Sequence, residues 1–155
     1  MSRIRTVRLA AALLVTGLAL SGCASTVSLQ PAPDANDPAC AEITAFLPGT
    51  LAGEKRRWTD AQATGAWGDP AAIIVSCGVE APAASALPCQ TVDGVDWLVD
   101  DTDAPNYRFT TFGREPAVEV YVDYDVVSSF DALSGLSALV TKLDRTAECT
   151  ERPAS

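Results

Sequence analysis

Ala117-Val118-Glu119-Val120-Tyr121-Val122-Asp123 is the stretch on which the fold turns. Successive side chains of a strand point to opposite faces. Val118, Val120 and Val122 therefore line one side while Glu119, Tyr121 and Asp123 line the other, as in a strand with one buried face. The preceding Gly113-Arg114-Glu115-Pro116 has the composition of a tight turn, and Tyr107 to Phe112 reads as a second strand. Further back, Val92-Asp93-Gly94-Val95 holds an Asp-Gly turn signal, with Asp96 to Val99 continuing as a strand. The run Ala72 to Cys77 is apolar and β-branched and reads as a buried strand. Together these segments predict an antiparallel meander.

Helical patterns flank the strands. Ser128 and Asp131 form the S-x-x-D variant of a capping box, opening a helix with Phe130, Leu133, Leu136, Val140 and Leu143 on one side. Gly135 costs that helix about 1 kcal/mol relative to alanine, which is tolerable where helix and sheet approach closely. On the N-terminal side, Asp37-Pro38 places a good N-cap residue before a proline at the first helical position. Ile43, Phe46 and Leu47 then share one face with Cys40, and Pro48-Gly49 ends the segment. Between this helix and Ala72 lies a polar region holding Arg56, Arg57, Trp58 and the turn Trp67-Gly68-Asp69-Pro70. The order predicts an α+β domain, an antiparallel sheet of about four strands with an N-terminal and a C-terminal helix packed on one face.

The N-terminus carries a different signal. Arg3, Arg5 and Arg8 precede an apolar run from Leu9 to Leu20, and Leu20-Ser21-Gly22-Cys23 follows. That arrangement resembles the lipobox of bacterial lipoproteins, in which the cysteine is lipidated and the preceding peptide removed. The run is short for a spanning helix, which needs about 20 apolar residues. The reading is a signal peptide over 1–22, a lipidated Cys23 opening a flexible tether over 23–37, and a single globular domain over 38–150. Fully extended, the tether would hold the domain up to roughly 45 Å from its anchor.

Composition excludes several kinds of chemistry. The 155-residue chain has no histidine, so it holds no Ser-His-Asp or Cys-His apparatus, no HExxH zinc site and no imidazole-ligated metal. Neither Lys55 nor Lys142 follows a serine by three residues, so the S-x-x-K pattern is absent. Removing Arg3, Arg5 and Arg8 with the signal leaves eight basic against 20 acidic residues, a net charge of −12. Such a balance argues against nucleic acid and against electrostatic adhesion to anionic lipid. Attachment to the membrane then rests on the N-terminal lipid, and no cofactor, metal or catalytic residue is assigned.

Cys40, Cys77, Cys89 and Cys149 remain once Cys23 is given to the anchor, an even number that outside the cytoplasm implies two bridges. Cys77 and Cys89 flank a Pro/Ala-rich loop, and Cys40 and Cys149 lie in the first and last helical patterns. The expected pairs are Cys77 with Cys89 and Cys40 with Cys149. No C-x-x-C motif is present to suggest redox chemistry.

Arg56-Arg57, Trp67-Gly68-x-Pro70, Cys77-Gly78-Val79, Gly94-Val95-Asp96-Trp97 and Thr111-Phe112-Gly113-Arg114-x-Pro116-x-Val118-Glu119-Val120 occur in that order. This set resembles the DUF3515 family of actinobacterial lipoproteins over roughly Cys40 to Leu143. The resemblance implies an envelope location. It carries over no catalytic residue, because the family is one of unknown function.

Arg56, Arg57, Trp67 and Arg114 are the candidate binding residues. Arginine forks and tryptophan area suit an anionic group or a partner surface, provided the four form one exposed patch. Asp100-Asp101-Thr102-Asp103 offers oxygen ligands but departs from the EF-hand loop, with Asn106 where glycine and Phe112 where glutamate are required, so it reads as a solvated hairpin turn. The functional expectation is a non-catalytic binding or accessory lipoprotein on the outer face of the cytoplasmic membrane, contacting an envelope protein or an anionic cell-wall ligand. The alternative is a small carboxylate-dependent hydrolase of wall glycan or another envelope substrate, which would need two carboxylates facing each other about 5 to 9.5 Å apart in an open cleft.

Overall fold

A computed structural model describes residues 26–83 and 86–150. The signal peptide and Cys23 lie outside the described residues. The elements run α1 (Pro38–Ala45), β1 (Thr50–Leu51), β2 (Glu54–Arg57), β3 (Thr64–Trp67), β4 (Ile73–Val79), β5 (Cys89–Val92), β6 (Val95–Asp103), β7 (Asn106–Thr111), β8 (Arg114–Glu115), β9 (Ala117–Asp123), α2 (Ser129–Val140) and β10 (Asp144–Arg145). The architecture is α+β. Its main sheet has eight strands in the order β1-β2-β3-β4-β9-β7-β6-β5, and β8 pairs separately with β10.

The sheet therefore exceeds the expected four or so strands. The additional ones are β1, β2, β3 and β5, and each lacks the signal of a half-buried strand. Glu54–Arg57 contains no apolar residue, Thr64–Trp67 is buried on both faces, and three of the four residues of Cys89–Val92 are exposed. Two antiparallel meanders, β1 to β4 and β5 to β7, are joined by β9, which slots between β4 and β7.

Strand β9 follows its alternation. Val118, Val120 and Val122 are fully buried, and Val120 sits opposite Val75 on one side and Phe109 on the other. Ile73, Val75, Cys77, Val95 and Trp97 extend this apolar face, and both helices add to the same cluster through Cys40, Ile43, Leu133, Leu136 and Val140. The opposite face is polar around its centre. There Arg108 lies 3.4 Å from Glu119 and stacks over Tyr121, whose hydroxyl donates to Asn106 at 2.8 Å.

Both helix starts form as their sequences dictate. The Asp37 carboxylate accepts from the Ala39 amide at 2.8 Å, and the Ser128 hydroxyl accepts from the Asp131 amide at 3.3 Å. Two aromatics leave the expected faces. Phe46 falls just past the end of α1 and Phe130 points outward from the first turn of α2; they are 67% and 62% exposed. Gly135 faces Leu51, where a Cβ would press on the leucine side chain, so the helix does approach the sheet closely there.

The disulfides pair differently from the expectation: Cys40 joins Cys77, and Cys89 joins Cys149. Strand alternation is the reason. Cys77 shares the helix-covered face with Val75, which puts it under α1 and Cys40. Cys89 shares the opposite face with Thr91 and Asp96, whose side chains hydrogen-bond at 2.6 Å. A bridge from Cys77 to Cys89 would have to pass through the sheet. Cys149 reaches Cys89 because the C-terminal segment crosses that outer face, with the Cys149 amide donating to the Asp96 carboxylate at 2.9 Å.

The expected tether over 23–37 is also corrected. From Val27 onward the segment is packed on the domain. The Val27 amide donates to the Trp58 carbonyl at 2.8 Å, the Asp60 amide donates back to Val27, and the Asp34 amide donates to the Gly78 carbonyl at 2.9 Å. Ala35 then enters the core at 4% exposure. Gly78, at φ +88°, is needed at this crossing, since a Cβ there would collide with the Asp34 carbonyl.

Candidate functional site

The four candidate binding residues do not assemble into an exposed patch. Arg56 and Trp67 are cross-strand partners on β2 and β3, and both reach the C-terminal end of α1 or the residues just after it. The Arg56 guanidinium donates to the Leu47 carbonyl at 2.9 Å and the Thr44 carbonyl at 3.4 Å, while the Trp67 indole N–H donates to the Pro48 carbonyl at 2.9 Å. Trp67 has no exposed surface. Arg57, the next residue on the strand, points to the other side, where it donates to the Gly68 carbonyl at 2.9 Å and pairs with Asp69 at 2.8 Å.

Arg114 is buried, at 8% exposure. Its guanidinium donates to the Leu143 carbonyl at 2.9 Å, the Gly94 carbonyl at 3.2 Å and the Thr141 carbonyl at 3.4 Å. Two of these carbonyls lie just beyond the C-terminus of α2, where the helix dipole favours a cation. Each helix thus ends on an arginine supplied by a strand, Arg56 for α1 and Arg114 for α2. The chemistry available to these side chains is structural.

A cleft opens where the N-terminal segment meets the end of β4 and the turn before β9. It has a volume of about 490 Å³ and is lined by Pro33, Asp34, Asp37, Val79, Ala81, Glu115 and Pro116, among others. Its polar side chains are the carboxylates of Asp34, Asp37 and Glu115 together with the amide of Asn36. The Asp37 carboxylate is already occupied as the N-cap of α1, and Asp34 and Glu115 are exposed to water.

Asp96 and Asp60 perform roles that no spacing in the sequence announces. Asp96, 9% exposed, accepts from the Thr91 hydroxyl and the Cys149 amide and so ties the C-terminal segment to the sheet. Asp60 accepts from the Leu29 amide and the Ser28 hydroxyl, both at 2.8 Å. The Leu29 amide, followed by the Ser28 hydroxyl, holds its carboxyl below the usual aspartate value. Asp100 is lowered too, by the Thr102 hydroxyl and then the Thr102 amide, at the register irregularity near the end of β6; the stretch expected as a hairpin turn is therefore strand, and the turn itself falls on Ala104-Pro105. Among the described residues no cluster of three His, Cys, Asp or Glu side chains is placed to hold a metal ion, and no helix is long and apolar enough to cross a membrane.

The sequence profile of a family described as a protein of unknown function (DUF3515) matches residues 5–148. No curated protein and no solved structure matches the chain.

Proposed function

From the premise that the chain belongs to the DUF3515 family, for which no activity is described, we propose that it is a lipid-anchored extracytoplasmic protein of the bacterial envelope and acts there as a non-catalytic binding or accessory module. Its place is the outer face of the cytoplasmic membrane, with Cys23 as the lipidated residue. The observation that carries this reading is the succession of Leu20-Ser21-Gly22-Cys23 and, four residues after the cysteine, a segment hydrogen-bonded to the domain at Val27. Two disulfides accord with export to an oxidising compartment.

The accessory role is favoured over catalysis by what the polar groups already do. The arginines hold carbonyls, which removes their support for an anionic cell-wall ligand. The cleft of Asp34, Asp37 and Glu115 suits a neutral or basic segment of an envelope protein instead. A carboxylate-dependent hydrolase needs one acid shielded from water so that it stays protonated, and Asp34 and Glu115 are exposed.

Cys23→Ala tests the anchor. Wild-type protein from the envelope partitions into the detergent phase, and its N-terminal peptide carries the mass of a diacylglyceryl cysteine. The variant loses both properties and keeps its signal peptide. Mature wild-type protein that begins elsewhere and carries no lipid would overturn the assignment.

A further inference from the structure

We propose that Trp58 is a membrane-contacting residue, seated in the headgroup layer of the bilayer that anchors the protein and thereby fixing which end of the domain faces the membrane. This inference rests on the assignment of Cys23 as the lipidated residue and adds an orientation to it.

Three observations converge on Trp58. First, it is 78% exposed, whereas the other two tryptophans of the chain, Trp67 and Trp97, are fully buried. Tryptophan has a large apolar body and a polar N–H, so a site that is apolar at one end and wet at the other suits it better than bulk water. Second, its own backbone receives the incoming chain. The Trp58 carbonyl accepts from the Val27 amide at 2.8 Å, and Val27 forms an isolated parallel bridge with Thr59, two residues beyond the end of β2. Third, the point of entry is held by side-chain hydrogen bonds. Asp60 grips both Ser28 and Leu29, so the direction in which the chain leaves the domain is set by the fold.

Length then decides the distance. Three residues separate Cys23 from Val27, and the four steps between them span about 14 Å at full extension. A tether over 23–37 would have let the domain drift tens of ångströms away; docking from Val27 onward shortens that leash several-fold. The headgroup region on each side of a bilayer is about 5 to 8 Å deep, so an indole bonded through its backbone to Val27 lies within its reach. The domain's acidic charge gives it no electrostatic attraction to anionic lipid. A single interfacial aromatic beside the anchor supplies orientation by a route that does not depend on charge.

The reporter is built in, because Trp58 is the one water-exposed indole. Mature lipidated protein purified in detergent is reconstituted into vesicles of phosphatidylcholine and phosphatidylglycerol, with and without bromine on the acyl chains near the headgroups. Wild-type emission is expected to shift to shorter wavelength on reconstitution, to lose accessibility to acrylamide, and to be quenched by the brominated lipid. In Trp58→Phe the quenched component disappears, and the remaining emission is the same with either lipid. If mass analysis finds lipid on Cys23 but brominated lipid quenches wild type no more than the variant, the contact is overturned while the anchor stands. Protection from acrylamide without quenching by brominated lipid would place Trp58 against protein and also overturn it. An unlipidated Cys23 would overturn both.

Discussion

Replacing Arg114 by alanine should unfold this domain more readily than any other single arginine change. The side chain is buried and donates to three carbonyls, of Leu143, Gly94 and Thr141. Among the described residues no carboxylate lies within ion-pair range of it, so its charge is met by peptide dipoles. A hydrogen bond from a charged group contributes about 1.5 to 3 kcal/mol, and a carbonyl left buried without a donor costs about 1 to 3 kcal/mol. The 2.9 Å bond to Leu143 is the buried one and dominates; the two longer bonds add less. Allowing for non-additivity, the loss is about 3 to 5 kcal/mol, a large share of the 5 to 15 kcal/mol typical of a domain. At roughly 4 °C per kcal/mol the melting temperature falls by about 12 to 20 °C. Circular dichroism melts and guanidinium titrations of the oxidised protein measure it, with Arg56→Ala as the comparison. Arg56 is exposed and bonds similar carbonyls, so its loss costs about 1 kcal/mol. Arg114→Lys, which keeps a charged donor but loses the planar fork that reaches three carbonyls, should fall between. An Arg114→Ala protein that melts within a few degrees of wild type but no longer captures an anionic ligand would refute the reasoning and return Arg114 to a binding role.

Non-reducing peptide mapping should recover Cys40 joined to Cys77 and Cys89 joined to Cys149, with sequence separations of 37 and 60; each closure contributes about 4 kcal/mol on the chain-entropy account, and a Cys77 to Cys89 peptide would contradict the two-face placement. Gly78→Ala should destabilise by about 1 to 3 kcal/mol through its positive φ and the collision with Asp34, and should open the Asp34 amide to hydrogen exchange; a neutral substitution would mean that the N-terminal segment is not held there. The folded-state pKa of Asp60 lies below its ordinary value of 3.8, so its grip on Ser28 and Leu29 is fully present above that value and is lost as pH falls below it toward the folded pKa. In an NMR titration the Leu29 amide should follow Asp60 with a midpoint below 3.8 and be flat in Asp60→Asn; a midpoint at or above 3.8 would show that the grip is not made.

Local patterns in the sequence sufficed for the α+β class, both helix starts, the buried face of β9 and the membership of its family. Those features depend on near neighbours: a two-residue alternation with one wet face, a cap three residues from its amide, a run of motifs in fixed order. What they could not reveal was held at longer range. Strand β3 is buried on both sides and β2 is polar throughout, so neither shows the alternation that marks a half-buried strand, and their pairing with β4 decides them. Nothing in the sequence marks Arg114 as buried, because its partners are carbonyls 20, 27 and 29 residues away, which carry no signature of their own. The cysteines could be counted from the sequence, but their pairing followed from the face of the sheet on which each one stands. The segment after Val27 has the composition of a linker and none of the periodicity of a packed element. Only the tertiary structure could place it on the domain, since what binds it is backbone hydrogen bonding, one buried alanine and a single aspartate on another loop.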